Sequence, residues 1–334
     1  MALGTVARWR QRWRHLRYFL RIQARDLLEL WLLPGLAALL PWRWCFALYR
    51  RVSHWDRLYA ESVAAAAREA MARGWLDEAN ARAWMAQRRL VTLVDHADFF
   101  LSRTRSDRWL ARHVRVEGAW PAPGRPAILC TFHWGAGTWA LRDTRLAGMR
   151  ARMMVAGLDS PAYAGRPVMF AYAWRRVAMI ARELQAPTLD TSASLRTVLK
   201  TLDGGEQVMA VVDVPADEVE ASCTVGLLGQ PARMPRALLR LATQRRLPVV
   251  VFLCGIDLHS GERWISLETL PACETVEELA AAVFVRLDAG IRAHPALWHF
   301  WGQAPRFWGV QSCLMGAGRS GVCDANVCTS DVRS

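Results

Sequence analysis

The sequence predicts an α/β fold, a mixed and mostly parallel sheet flanked by helices, preceded by a helical N-terminal segment. Three observations predict it. Short apolar runs, "AILCTF" (127–132), "ARMMVAG" (151–157), "QVMAVVDV" (207–214) and "LPVVVFLCG" (247–255), are of the continuous kind that strands buried on both faces require. Helical stretches such as "SLRTVLKTL" and "PRALLRLATQRR" alternate with them. A long region rich in Ala, Arg and Glu, residues 56–112, carries little Pro or Gly and reads as helix.

The elements follow in order. Residues 6–26, "VARWRQRWRHLRYFLRIQARD", place Arg10, Arg14, Arg17, Arg21 and Arg25 on one helical stripe and Trp9, Trp13, Leu16 and Leu20 on the next. A basic stripe beside an aromatic and aliphatic one suits a helix lying in a membrane interface; the competing reading is an amphipathic helix on the protein's own core. The apolar run "LLELWLLPGLAALL" (27–40) holds Glu29 and Pro34 and falls short of the ~20 residues a span needs, and no small-residue cleavage site follows it. The expectation is a monotopic anchor over residues 1–50, then a helical segment (51–115), an α/β domain (116–308) and a mobile tail (309–334). "HVRVEG" alternates like an edge strand, and Pro and Gly then mark a loop before "AILCTF".

Composition narrows the partners. The chain has 334 residues, 43 basic against 30 acidic, a net charge of +13 carried almost wholly by arginine. Such a balance favours an anionic surface or a nucleic acid. The 17 tryptophans, eight of them in the first 90 residues, favour the membrane, because indole prefers the headgroup layer. No nucleic-acid motif argues the other way. The eight cysteines (45, 130, 223, 254, 273, 313, 323, 328) show no paired metal spacing and read as reduced thiols, hence a cytosolic face. "LDGGEQ" (202–207) has no following lysine and is no phosphate loop. No nucleotide or metal cofactor is expected, and His54, His96, His113, His259, His294 and His299 are read as structural or surface residues.

The chemistry is concentrated in "CTFHWGAGTWALR" (130–142). His133 follows a buried strand and precedes a glycine turn, where ligands of open α/β sheets bind. An imidazole can take a proton from an attacking hydroxyl, and works best when a carboxylate holds its other nitrogen.

"VRVEGAWPAPGRPAILCTFHWGAGTWALR" resembles the first-motif region of the bacterial late acyltransferases of lipid A biosynthesis, within the lysophospholipid acyltransferase group, which carry histidine, four residues, then Asp or Glu. "LWLLPGLAALLPWRW" resembles that family's membrane helix and its exit. "GGEQVMAVVDVPADEVEASCTVGLLGQPARMPRALLRLATQRRLPVVVF" resembles its later strand, loop and helix, and "HPALWHFWGQAPRFW" its Trp-rich ending. The resemblance covers roughly residues 27–308 and implies a glycerolipid-acyltransferase-like fold. It also implies transfer of an acyl chain from an acyl carrier protein or coenzyme A thioester to a hydroxyl of a lipid or glycolipid, at the cytoplasmic face of the bacterial inner membrane. His133 would be the general base, and Arg142, Arg175 and Arg176 would hold an anionic acceptor or donor. Asp213 sits where the family has a strand-end aspartate, and a turn or cap role fits it equally.

The chain departs from the family at the acid position, which is Thr138. Three explanations compete. Another carboxylate (Asp143, Asp159 or Asp213) fills the role; or Thr138 orients His133 in a slow enzyme; or the protein has lost catalysis and kept lipid or acyl-carrier binding in a lipid or pigment biosynthesis system.

Overall fold

The computed structural model describes residues 2–191 and 195–308. The C-terminal tail (309–334), with Cys313, Cys323 and Cys328, lies outside the described residues, so its expected mobility is not addressed. The helices are α1 (Ala2–Leu27), α2 (Leu33–Leu39), α3 (Trp42–Val52), α4 (Ala60–Ala72), α5 (Glu78–Thr104), α6 (Asp107–His113), α7 (Thr138–Leu146), α8 (Pro167–Leu184), α9 (Leu195–Asp203), α10 (Ala237–Arg245), α11 (Val276–Ala293) and α12 (Ala304–Trp308). The strands are β1 (Val114–Glu117), β2 (Ala127–Thr131), β3 (Ala151–Val155), β4 (Leu189–Asp190), β5 (Gln207–Val211), β6 (Ser222–Leu227), β7 (Gln230–Pro235), β8 (Val249–Ile256) and β9 (Arg263–Thr269).

Seven strands form one sheet in the order β1-β9-β8-β2-β5-β3-β4. All neighbours are parallel except β8 and β9. The fold is therefore α/β with a mixed, mostly parallel sheet flanked by helices. β2 is fully buried at the centre, which explains its unbroken apolar run, and β1 is an edge strand as its alternation predicts. β6 and β7 form a separate hairpin whose turn residues, Leu228 and Gly229, both have positive φ, 53° and 78°.

α1 ends in a π-helical stretch, Leu28–Leu32, immediately before Pro34 in the first turn of α2. Proline has no N–H to donate back, and a widened turn accommodates the break. The chain here packs inward: Trp42, Cys45, Phe46 and Tyr49 are buried in the same core as the sheet. The first half of α1 behaves differently. Trp9, Trp13, Leu16 and Leu20 are all exposed, so this stripe does not rest on the protein's own core. Among the described residues no helix is long and apolar enough to cross a membrane. Cys45, Cys130, Cys223 and Cys254 are buried free thiols, and Cys273 is half-buried and free.

Candidate active site

Thr131 and Val211 are register partners on adjacent parallel strands β2 and β5. Two residues beyond each, His133 and Asp213 leave the sheet side by side at its carboxyl edge. His133 Nδ1 lies 3.0 Å from Asp213 Oδ1, and the same oxygen accepts the His133 backbone N–H at 2.8 Å. The other oxygen accepts the Trp298 indole N–H at 2.9 Å. Asp213 is wholly buried, and these three donors are what make a buried carboxylate tolerable. An acceptor at Nδ1 sets the tautomer, with the proton on Nδ1 and the lone pair on Nε2. Phe300 stacks on the imidazole, centroids 3.8 Å apart and planes inclined by 15°, which restrains the ring.

The segment carrying Trp298 and Phe300 is sewn onto the turn after β2. Trp134 and Trp298 form an antiparallel bridge, Gly135 N–H donates to Leu297 C=O (2.9 Å) and His299 N–H to His133 C=O (2.7 Å). Gly135 has φ +56°, and a Cβ there would lie 2.1 Å from the Cys254 carbonyl oxygen on β8, so only glycine fits. His299 Nε2 donates to Gly135 C=O (2.7 Å), which leaves Nδ1 to accept from the Arg88 guanidinium at 2.8 Å.

His133 opens on a cavity of about 600 Å³. Its apolar wall includes Met153, Met169, Met179, Met209, Ile180 and Phe252, and four methionines make it adaptable to a flexible chain. Its polar wall holds Asp95, His96, Tyr172 and Arg176, with Asp26 and Arg166 also lining it. Arg176 Nη2 donates to both Asp95 carboxylate oxygens, at 2.7 and 2.8 Å, and Arg166 is paired with Asp26. A larger, polar concavity of about 740 Å³ lies beyond the 294–297 loop and includes His54, His259 and His294. It does not include His133, which lines the smaller cavity, so the smaller one is the candidate site.

The buried polar groups carry a pH signature. Burial pushes His96 down to about 4 against the opposing pull of Asp95, and burial, helped by Arg88, pushes His299 down to about 3. Both are neutral in the folded protein, whereas in the unfolded chain they protonate near 6.5. As pH falls below about 6.5 the unfolded state binds protons that the folded state refuses, so stability declines towards pH 4, by up to about 1.4 kcal/mol per pH unit per histidine. Asp95 adds to this lower down. Burial raises its pKa, but Arg176, His299 and His96 together outweigh it and hold the group at about 2, so its contribution is lost between the usual carboxylate range and pH 2. Thermal melts from pH 7 to 4 should show a steady fall, and a flat profile would mean that these histidines are solvated.

The other expected site residues are placed as follows. Thr138 lines the cavity but does not orient His133: Nδ1 is held by Asp213, and the Thr138 hydroxyl is buried with no hydrogen-bond partner among the described residues. Arg142 is not positioned for substrate. It is buried, bonded to Glu183 at 2.6 Å and to the carbonyls of Ser102 and Arg105, and clamps α7 to α8 and α5. Arg175 is exposed, its guanidinium over Trp31, and does not line the cavity. Arg176 does line it, neutralised by Asp95. Asp143 is engaged by the Trp120 indole at 2.7 Å, and Asp159 is exposed on a loop. Trp298 and Phe300 stand out in the sequence only as part of a Trp-rich ending, and His299, expected as a structural or surface residue, bonds Gly135 and Arg88.

The chemistry rests on geometry alone. No family model matches the chain, and a search of curated proteins finds no match. What the residues present is an imidazole anchored at Nδ1 by a carboxylate and stacked on Phe300, beside an apolar chamber. Such an arrangement can accept a proton from a hydroxyl held at Nε2.

Proposed function

We propose that this chain is a membrane-associated acyltransferase of glycerolipid-acyltransferase-like fold. It moves an acyl chain from an acyl carrier protein or coenzyme A thioester to a hydroxyl of a lipid or glycolipid, at the cytoplasmic face of the bacterial inner membrane. The observation that carries the reading is the His133–Asp213 pair opening on a methionine-lined cavity. His133 Nε2 takes the proton of the acceptor hydroxyl as its oxygen attacks the thioester carbonyl. Asp213 and the face of Phe300 stabilise the imidazolium that forms, and this proton then goes to the departing thiolate. No metal or nucleotide is invoked.

The exposed stripe of Trp9, Trp13, Leu16 and Leu20 supports a membrane location, together with Phe170 and Trp174, which are exposed on α8. α8 also contributes Met169 and Arg176 to the cavity, so exposed aromatics and the chamber share one helix. The reading of a catalytically impaired binding subunit drew its force from the missing acid at Thr138. A carboxylate already on His133 favours catalysis.

Purified protein is expected to transfer acyl groups from a panel of acyl carrier protein and coenzyme A thioesters to hydroxyl lipids. His133→Ala should lower the rate by about 10²-fold or more while leaving thermal stability within a few degrees. Transfer that survives this substitution would remove His133 as the base.

A further inference from the structure

A thioester carbonyl attacked beside His133 needs donors for the charge that develops on its oxygen. α7 is nine residues long and begins at Thr138, with Gly137 at its N-cap and no side chain capping it. The first backbone bond of the turn is Ala140 N–H to Gly137 C=O. The N–H groups of Gly137, Thr138 and Trp139 make no hydrogen bond among the described residues, as helix starts dictate when no cap is supplied. Gly137 and Thr138 both line the cavity that His133 opens on. The second observation is independent of the backbone. Thr138 is only 3% exposed, yet its hydroxyl, on the cavity-lining residue, has no partner. Leaving a buried hydroxyl unsatisfied is costly, so its natural complement is a ligand atom that accepts.

We propose that the Thr138 hydroxyl and the free N–H groups at the start of α7 form an oxyanion-binding site, which takes the tetrahedral, negatively charged oxygen of an acyl group undergoing transfer. The inference deepens the acyl-transfer reading and rests on it for its chemistry. As the acceptor oxygen bonds to the thioester carbon, the carbonyl π pair moves onto oxygen, and His133 takes the acceptor's proton. The donors of α7 stabilise that oxyanion, with the helix dipole adding to them. When the pair returns, the C–S bond breaks and the thiolate takes the proton back from His133. The residue at the family's acid position thus serves the opposite partner of the reaction, binding a developing negative charge instead of supplying one.

The test is binding of dodecylphosphonate, a stable tetrahedral anion, against dodecanol, measured by titration calorimetry on the full chain. Thr138→Val keeps the shape and removes the hydroxyl. It should weaken dodecylphosphonate by about tenfold or more, the worth of one charge-assisted hydrogen bond, with dodecanol unchanged and Thr138→Ser close to wild type. In turnover the same change lowers kcat about 10²-fold at unchanged KM. Thr138→Ala is a second hydroxyl-less variant, so a folding failure of one leaves the other to decide. Phosphonate binding indifferent to both variants overturns the site, and so does equal weakening of both probes, which would report only altered shape. Thr138-dependent phosphonate binding without transfer from any thioester would keep the anion site and sink the transferase reading. Transfer with Thr138-indifferent binding would do the reverse.

Discussion

Asp213→Asn is expected to lower acyl transfer about 10⁴-fold, the scale seen when the carboxylate of a serine-protease triad is replaced by its amide. The reason is specific to the three donors around this side chain. Asp213 accepts from the His133 backbone, the His133 ring and the Trp298 indole. An asparagine oxygen can accept from one side only, and its NH₂ on the other side faces a donor. If the amide oxygen keeps the backbone and ring N–H groups, the charge that stabilises imidazolium is gone. If the amide flips, the ring must present Nδ1 as acceptor, and Nε2 then carries the proton and is no base. Either way kcat falls while the apolar cavity still binds the chain, so KM should move little. Activity above about a tenth of wild type would remove Asp213 from the mechanism.

The largest expected stability effect lies elsewhere. Asp98→Ala is expected to cost about 3–5 kcal/mol, read as a shift of the denaturant midpoint. Asp98 on α5 and Arg263 at the start of β9 are both essentially inaccessible, with Nε 3.2 Å from Oδ2 and a second bond from Nη2 to Oδ1. The Arg263 guanidinium also lies 3.8 Å from the centre of the Trp42 ring and 5.3 Å from that of Trp109. One cation therefore joins α3, α5, α6 and β9. Burial pushes the Asp98 carboxyl upward, and Arg263 opposes this. Removing the acid strands a guanidinium among indoles. The double change Asp98→Leu with Arg263→Met should recover most of the loss, because the pair and an apolar replacement of similar volume are nearly equivalent in energy. A loss under about 1 kcal/mol for Asp98→Ala alone would mean that water reaches the guanidinium.

Much of the sheet was legible because buried parallel strands leave continuous apolar runs: β2, β3 and β5 each fall inside one, and β8 overruns its own by a single residue, Ile256. The hairpin β6–β7 was not, since its Leu228-Gly229 turn lacks the Asn-Gly or Asp-Gly signature that usually marks two positive φ values. β9 and α11 also escaped, and with them the frame for Trp298 and Phe300. At the site, His133 stood out by its place after a buried strand. Its acid did not, because choosing between Asp143, Asp159 and Asp213 needs the pairing of β2 with β5, separated by some eighty residues of chain. Arg142 misled for a related reason. Its partner Glu183 is 41 positions away, and nothing local distinguishes a clamp from a substrate ligand.

The stacking of Phe300 and the indole bond of Trp298 have a consequence for biosynthesis. A ribosome releases His133 and Asp213 long before it releases residues 298–300. Until that segment docks, the imidazole is unstacked, the carboxylate is short of one donor, and the turn at Gly135 lacks its Leu297 partner. The His133–Asp213 pair therefore cannot acquire all of its supporting contacts piecemeal. The pair reaches its full set of contacts only once almost the entire described chain has been made.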